Sequence, residues 1–195
     1  MNAAPRFRAV VLGVSTGGVD ALKRLLPALP AGFALPILIV IHIAPGSSDG
    51  LARLLDGLTQ IRVKEADEGE LAVPGVAYVA PANYHLLVEP DGRLGLSTDS
   101  PVNCARPSVD VLFESAALCY GAGLIGVILT GAGGDGAPGL ACVARLGGFT
   151  IVQEPGDAQM DSMPSAALAA LSADRVVALD ALAALLAELA GWAAP

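Results

Sequence analysis

Basic residues are scarce in this chain of 195 residues: 11 Lys and Arg stand against 19 Asp and Glu, a formal net charge of -8. Nucleic acid and anionic membrane surfaces select for basic patches, so neither is an expected partner. No segment reaches the roughly 18 uninterrupted apolar residues that a membrane span requires, so no membrane insertion is expected. The N-terminal MNAAPRFRAVVLGV places two arginines before an apolar run, as a signal peptide does. That run is short, is broken by Gly13 and leads at once into Ser15-Thr16-Gly17-Gly18, so it reads as a buried strand. Cysteine is confined to Cys104, Cys119 and Cys142, an odd number without metal-ligand spacing. A reduced, cytoplasmic chain with structural thiols and no metal site is the expectation.

Two nucleotide-binding readings are also excluded by what is missing. Neither glycine-rich turn contains the lysine of a phosphate-binding loop. A dinucleotide fold places an acidic residue after its second strand to bind the ribose, but here that strand ends in His42-Ile43-Ala44-Pro45-Gly46. No cofactor is expected. Aromatics are only 4% of the chain, so a core must be built from Val, Leu, Ile and Ala, the usual filling of layered α/β proteins.

What is present is an alternation of short apolar runs with amphipathic stretches, the pattern of β-α-β units around a parallel sheet. Strands are predicted at Phe7–Val14, Pro36–His42, Leu124–Thr130, Phe149–Gln153 and Arg175–Leu179. Helices are predicted at Asp20–Leu29, Asp49–Leu58 with Ser47 and Ser48 as caps, Ser108–Tyr120 with Ser108 as cap, from Gly136 through Leu146, Pro164–Leu171 and Leu182–Trp192. The middle differs. Ile61–Glu65 and Val76–Ala80 flank a Pro74-Gly75 turn, and His85–Glu89 and Arg93–Ser97 flank Pro90-Asp91-Gly92, so this region reads as a local antiparallel excursion. The expected fold is a single doubly wound α/β domain over residues 1–195, with a core at about 7–180: a mostly parallel three-layer sheet with an antiparallel hairpin.

Three chemically capable features fall at carboxyl ends of predicted parallel strands, where open α/β sheets place ligands. The first, Gly13-Val14-Ser15-Thr16-Gly17, satisfies G-x-S-x-G, a spacing that presents a serine hydroxyl from a sharp strand-to-helix turn. The second is His42, whose imidazole can relay a proton from serine near neutral pH. The third is Thr130–Gly136, where Asp135 can orient that histidine and an exposed amide, at Ala132 above all, can donate to an oxyanion. Each has a plainer reading: Ser15 and Asp135 as caps of the helices that follow them, His42 as a strand-end residue. His85, the other histidine, fits substrate contact or structure better than general base.

The set Ser15-Thr16-Gly17-Gly18, His42–Gly46, Tyr78-Val79-Ala80-Pro81, Arg106-Pro107-Ser108-Val109-Asp110 and Gly126–Gly131, with Met163-Pro164 later, resembles the catalytic domain of the CheB chemotaxis protein-glutamate methylesterases from about Val10 to Leu179. The resemblance implies Ser15 as nucleophile, His42 as general base and Asp135 as its orienting residue. It further places Thr16 beside the nucleophile and the Ala132 amide in the oxyanion hole. The implied substrate is a methylated glutamate in the cytoplasmic region of a chemoreceptor, with deamidation of receptor glutamines as a related activity. An esterase acting outside chemotaxis and a non-catalytic receptor-binding module are the alternatives. Ala132 stands where the family usually has methionine, and Gly134 where a larger residue is common. Family enzymes commonly carry an N-terminal receiver domain. The sequence begins at the catalytic strand, so control in cis is not expected and a separate receiver protein is the alternative partner.

Overall fold

The structure is a computed structural model that describes residues 6–42 and 48–191. Seven strands form one parallel sheet: β1 (Ala9–Val14), β2 (Ile37–Ile41), β3 (Arg62–Glu65), β4 (Val76–Val79), β7 (Leu124–Ile128), β8 (Phe149–Gln153) and β9 (Arg175–Val177). Their order is β3-β4-β2-β1-β7-β8-β9. The chain therefore builds outward from β1 in one direction and then, from β7, in the other. The adjoining ends of β1 and β7 form the switch point at which such sheets bind ligands. A separate antiparallel hairpin pairs β5 (His85–Val88) with β6 (Leu94–Ser97).

The period of two along each strand sorts side chains onto two faces. Val10, Leu12 and Val14 of β1, with Ile37, Ile39 and Ile41 of β2, join one core. This core is covered by α1 (Gly18–Leu25), α2 (Ser48–Asp56) and α6 (Leu179–Leu189). Ala9, Val11, Leu38 and Val40 point the other way, beneath α3 (Val109–Tyr120), α4 (Ala137–Arg145), α5 (Ser162–Ala170) and the hairpin. Strands apolar on both sides must be covered on both sides, which makes the domain three layers deep. No helix among the described residues is long and apolar enough to cross a membrane.

Two expectations are corrected. The antiparallel excursion is limited to β5 and β6, because β3 and β4 pair in parallel and extend the main sheet beyond β2. Pro74-Gly75 does not close a hairpin. The segment from Ala66 to Gly75 carries the chain back to the starting edge of the sheet, and both faces of β4 are then buried. The helix expected at Asp20–Leu29 ends at Leu25 and tightens into a 3₁₀ turn over Leu26–Ala28, because Pro27 has no N–H to continue the ladder. The caps expected from Ser47 and from the side chain of Ser48 lie outside the described residues, as does Trp192.

Candidate active site

Ser15 and His42 are the residues that immediately follow β1 and β2. Those strands are in register to their ends, with Val14 opposite Ile41, and the His42 N–H donates to the Val14 carbonyl at 3.2 Å. On the other side, the Ser15 N–H donates to the Thr130 carbonyl at 3.0 Å, which fixes the serine against the turn that follows β7. The chain bends into α1 through Gly17, at φ 80°, and the Gly18 N–H closes onto the Ser15 carbonyl at 2.7 Å. Such a left-handed bend favours glycine. Gly131 permits the close approach of the two turns: a Cβ there would stand 2.8 Å from the Ser15 Cβ and would also collide with Met163. Among the described hydrogen bonds none joins Ser15 directly to His42, and such contacts commonly tighten only around bound substrate.

His42 Nε2 lies 2.8 Å from Asp135 Oδ2. Asp135 is 5% exposed and also accepts from Asn103 Nδ2 at 2.8 Å, Ser108 Oγ at 2.8 Å, and the backbone N–H groups of Val109 at 2.7 Å and Asp110 at 3.3 Å. Burial alone would raise its pKa. The donors, led by His42 and Asn103, outweigh burial and bring it down to about 2. An ionised Asp135 requires Nε2 to be the protonated nitrogen of a neutral His42 ring. Nδ1 then keeps the lone pair and is the atom able to accept a proton.

The plain reading of Asp135, as a cap for the helix that follows it, is overturned. Asp135 precedes α4 but accepts the free N–H groups of α3. The N–H groups of Gly136 and Gly139, at the start of α4, donate instead to Oδ1 of Asp110 in α3, at 3.0 and 2.6 Å. Ser108 does occupy the N-cap position of α3, but its hydroxyl makes no capping bond and is spent on Asp135. A carboxylate at a helix N-terminus satisfies orphan donors and meets the favourable end of the dipole. Asn103 Nδ2 bridges the pair, 2.6 Å from Asp110 Oδ2. Burial and the neighbouring Asp135 charge keep the Asp110 carboxyl above the ordinary carboxylate range.

A cavity of about 590 Å³ opens beside these groups, walled in part by His42, Asn83, Asn103, Arg106, Ala132 and Asp135. Gly131 donates its N–H to the Met160 carbonyl at 3.0 Å, whereas the N–H of exposed Ala132 has no acceptor among the described residues. Ala132 thus has the only one of these two amides free to meet an oxyanion. Thr16 is exposed, and its carbonyl accepts from Thr130 Oγ1 at 2.9 Å, which ties the serine turn to the aspartate turn. Among the described residues, the three non-glycine ones with positive φ, Asn83 (65°), Asn103 (52°) and Cys104 (61°), all line the cavity. Backbone strain of this kind concentrates at functional sites.

His85 is buried at 1% exposure. Its Nδ1 accepts the Ser108 N–H at 3.2 Å and its Nε2 faces the Ser100 carbonyl at 3.2 Å, so both ring nitrogens are committed to structure. Sequence reasoning passed over Asn103 and the part played by Asp110. A usable signal existed for Asp110, an acidic residue opening a helix whose neighbours Val109, Leu112 and Phe113 are all core. Asn103, in an irregular loop, offered none.

A doubly wound sheet that brings a serine, a carboxylate-held histidine and a free turn amide to its switch point is built as a hydrolase. The family model described as CheB methylesterase matches residues 10–186. The crystal structure of the Thermotoga maritima CheB methylesterase catalytic domain superposes with a TM-score of 0.90 at 36% identity, covering 94% of this chain and 98% of that one. A Leptospira interrogans protein, provisionally named a protein-glutamate methylesterase/protein-glutamine glutaminase, is 47% identical over 94% of this chain and 95% of its own length. An Anaeromyxobacter dehalogenans protein-glutamate methylesterase/protein-glutamine glutaminase is also 47% identical, over 92% of this chain but 53% of its own length. The chain belongs to the CheB methylesterase family and is, by class, a carboxylic ester hydrolase.

Proposed function

We propose that the protein removes methyl groups from glutamate γ-methyl esters of chemoreceptors in the cytoplasm, with Ser15, His42 and Asp135 acting as a catalytic triad. The observation that carries this reading is the 2.8 Å His42–Asp135 contact at a strand end in register with the one that bears Ser15. His42 Nδ1 takes the hydroxyl proton as Ser15 Oγ bonds to the ester carbonyl carbon. The Ala132 N–H donates to the developing oxyanion. The bond to the methoxy oxygen then breaks, the proton on His42 passes to that oxygen, and methanol leaves. Water repeats the sequence on the acyl-enzyme, releasing the glutamate carboxylate and restoring Ser15. A glutamine side chain can follow the same course with ammonia leaving, which accounts for deamidation as a second activity. A separate receiver protein is the proposed regulatory partner.

The test is methanol release from methylated receptor membranes, run beside labelling with a fluorophosphonate probe. Wild-type protein releases methanol and is labelled at Ser15, and Ser15→Ala loses both. Methanol release that survives in Ser15→Ala overturns the nucleophile assignment. Labelling at Ser15 with inert receptor membranes overturns the substrate instead.

A further inference from the structure

We propose that Asn103 is a positioning residue of this esterase site, its side-chain amide holding Asp135 in place between His42 and the second buried carboxylate, Asp110. The proposal rests on the triad reading above. Nδ2 lies 2.8 Å from Asp135 Oδ1 and 2.6 Å from Asp110 Oδ2, so the two protons of one amide nitrogen serve two carboxylates. Chemistry fixes the orientation of the amide, because its oxygen facing two carboxylates would be repelled by both. Without this bridge, two buried acids that each seat the helix of the other would face one another with one donor fewer each. The loop carries strain at this point: Asn103 has φ 52° and Cys104 φ 61°, and Val102 and Ala105 form a bridge around them. Arg106 Nη1 anchors the same loop to the carbonyls of Thr98 and Asp99 at 2.6 and 2.9 Å. Since this loop also walls the cavity, Asn103 reaches the Asp135 carboxylate from the cavity side.

The titratable and charged groups around Asp135 are His42 after β2, Asp110 in α3, His85 behind Ser108, and Arg106 in the cavity wall. Removal of the amide leaves the Asp135 charge to fall more fully on a protonated His42. The acid limb of the rate profile then moves to higher pH, and looser placement lowers the rate. Asn103→Gly is the informative variant, because glycine accepts the left-handed backbone and loses only the amide. Asn103→Asp keeps the shape and sets a third carboxylate against the other two.

The experiment follows fluorophosphonate labelling of Ser15 and methanol release against pH, with circular dichroism to check the fold. In Asn103→Gly the acid limb of both profiles is expected to lie at higher pH than in the wild type. Rates at neutral pH are expected to fall by about tenfold or more, in kcat rather than KM. Asn103→Asp falls at least as far. Adding Asp110→Asn to Asn103→Gly brings both limb and rate part of the way back, because it removes a charge and returns an amide to the gap. An unmoved acid limb in folded Asn103→Gly, or a rate loss that Asp110→Asn leaves uncorrected, overturns the proposal. Wild-type labelling in Asn103→Asp overturns it as well. Full activity in Ser15→Ala, run in parallel, overturns the triad itself, so the two failures are told apart.

Discussion

Asp110 and Asp135 each hold the helix that belongs to the other: Asp135 accepts the Val109 N–H at 2.7 Å, and Asp110 accepts the Gly139 N–H at 2.6 Å. The exchange locks α3 to α4 at the point where both begin. Asp135, bonded to the start of α3 and joined through Gly136 to α4, is thereby fixed between the two helices. Gly139 makes room for the Asp110 carboxylate, since a Cβ there would lie 2.9 Å from Asp110 Oδ1.

Asp110→Ala removes the acceptor of two buried N–H groups, those of Gly136 and Gly139. The expected loss is about 1–3 kcal/mol for such unsatisfied groups. It should appear as a lower urea midpoint with an unchanged slope. Asp110→Asn retains an acceptor oxygen and should lose much less, so equal losses in the two variants would contradict this account.

Asp135 makes stability depend on pH in a defined direction. Its pKa is lowered in the folded protein from 3.8 to about 2. The ionised form therefore stabilises the fold fully above about pH 4, and that contribution disappears as pH falls towards 2. Linkage sets it at about 2 kcal/mol. Asp110 acts with the opposite sign: its raised pKa penalises the fold above the ordinary carboxylate range, a cost relieved on acidification. The stability difference between wild type and Asp135→Asn should separate the two, being widest near neutral pH and narrowing below pH 4. A gap constant from pH 7 to pH 3 would show that hydrogen-bond geometry, and not ionisation, carries the contribution.

Gly131 and Ala132 are adjacent but should respond oppositely to enlargement. A side chain at Gly131 meets Met163 and the Ser15 Cβ, so Gly131→Ala should displace the serine turn and lower the rate of fluorophosphonate labelling by tenfold or more, roughly the effect of an ångström-scale misplacement. Ala132 is exposed and offers its backbone, so Ala132→Met should change the thermal midpoint little. Any change in turnover from Ala132→Met should fall on KM for the receptor ester. Steady-state kinetics of both variants on one substrate check the contrast.

The apolar runs ILIVI and LIGVI, buried from end to end, were legible as central strands because runs of five rich in β-branched residues suit a sheet covered on both faces. Hairpin chemistry at Pro90-Asp91-Gly92 was legible for the same local reason. The direction of β3 and β4 was not, since a strand only four residues long carries no mark of its partner. Ser15, His42 and Asp135 could be placed at neighbouring strand ends from spacing alone, because strand ends are where a parallel sheet exposes its turns.

Ser15 lies in a glycine-rich turn, and that much is local: the turn needs Gly17, and the place of the hydroxyl follows from the turn. Which helix Asp135 would cap was open to tertiary packing alone. Local chemistry favours the helix that follows it, and the structure assigns it to α3, because α3 and α4 start side by side and each presents its unpaired N–H groups to the acid of the other. The same packing brings in Asn103, which lies just before α3 but 32 residues from Asp135, so the sequence hides that one amide serves two carboxylates.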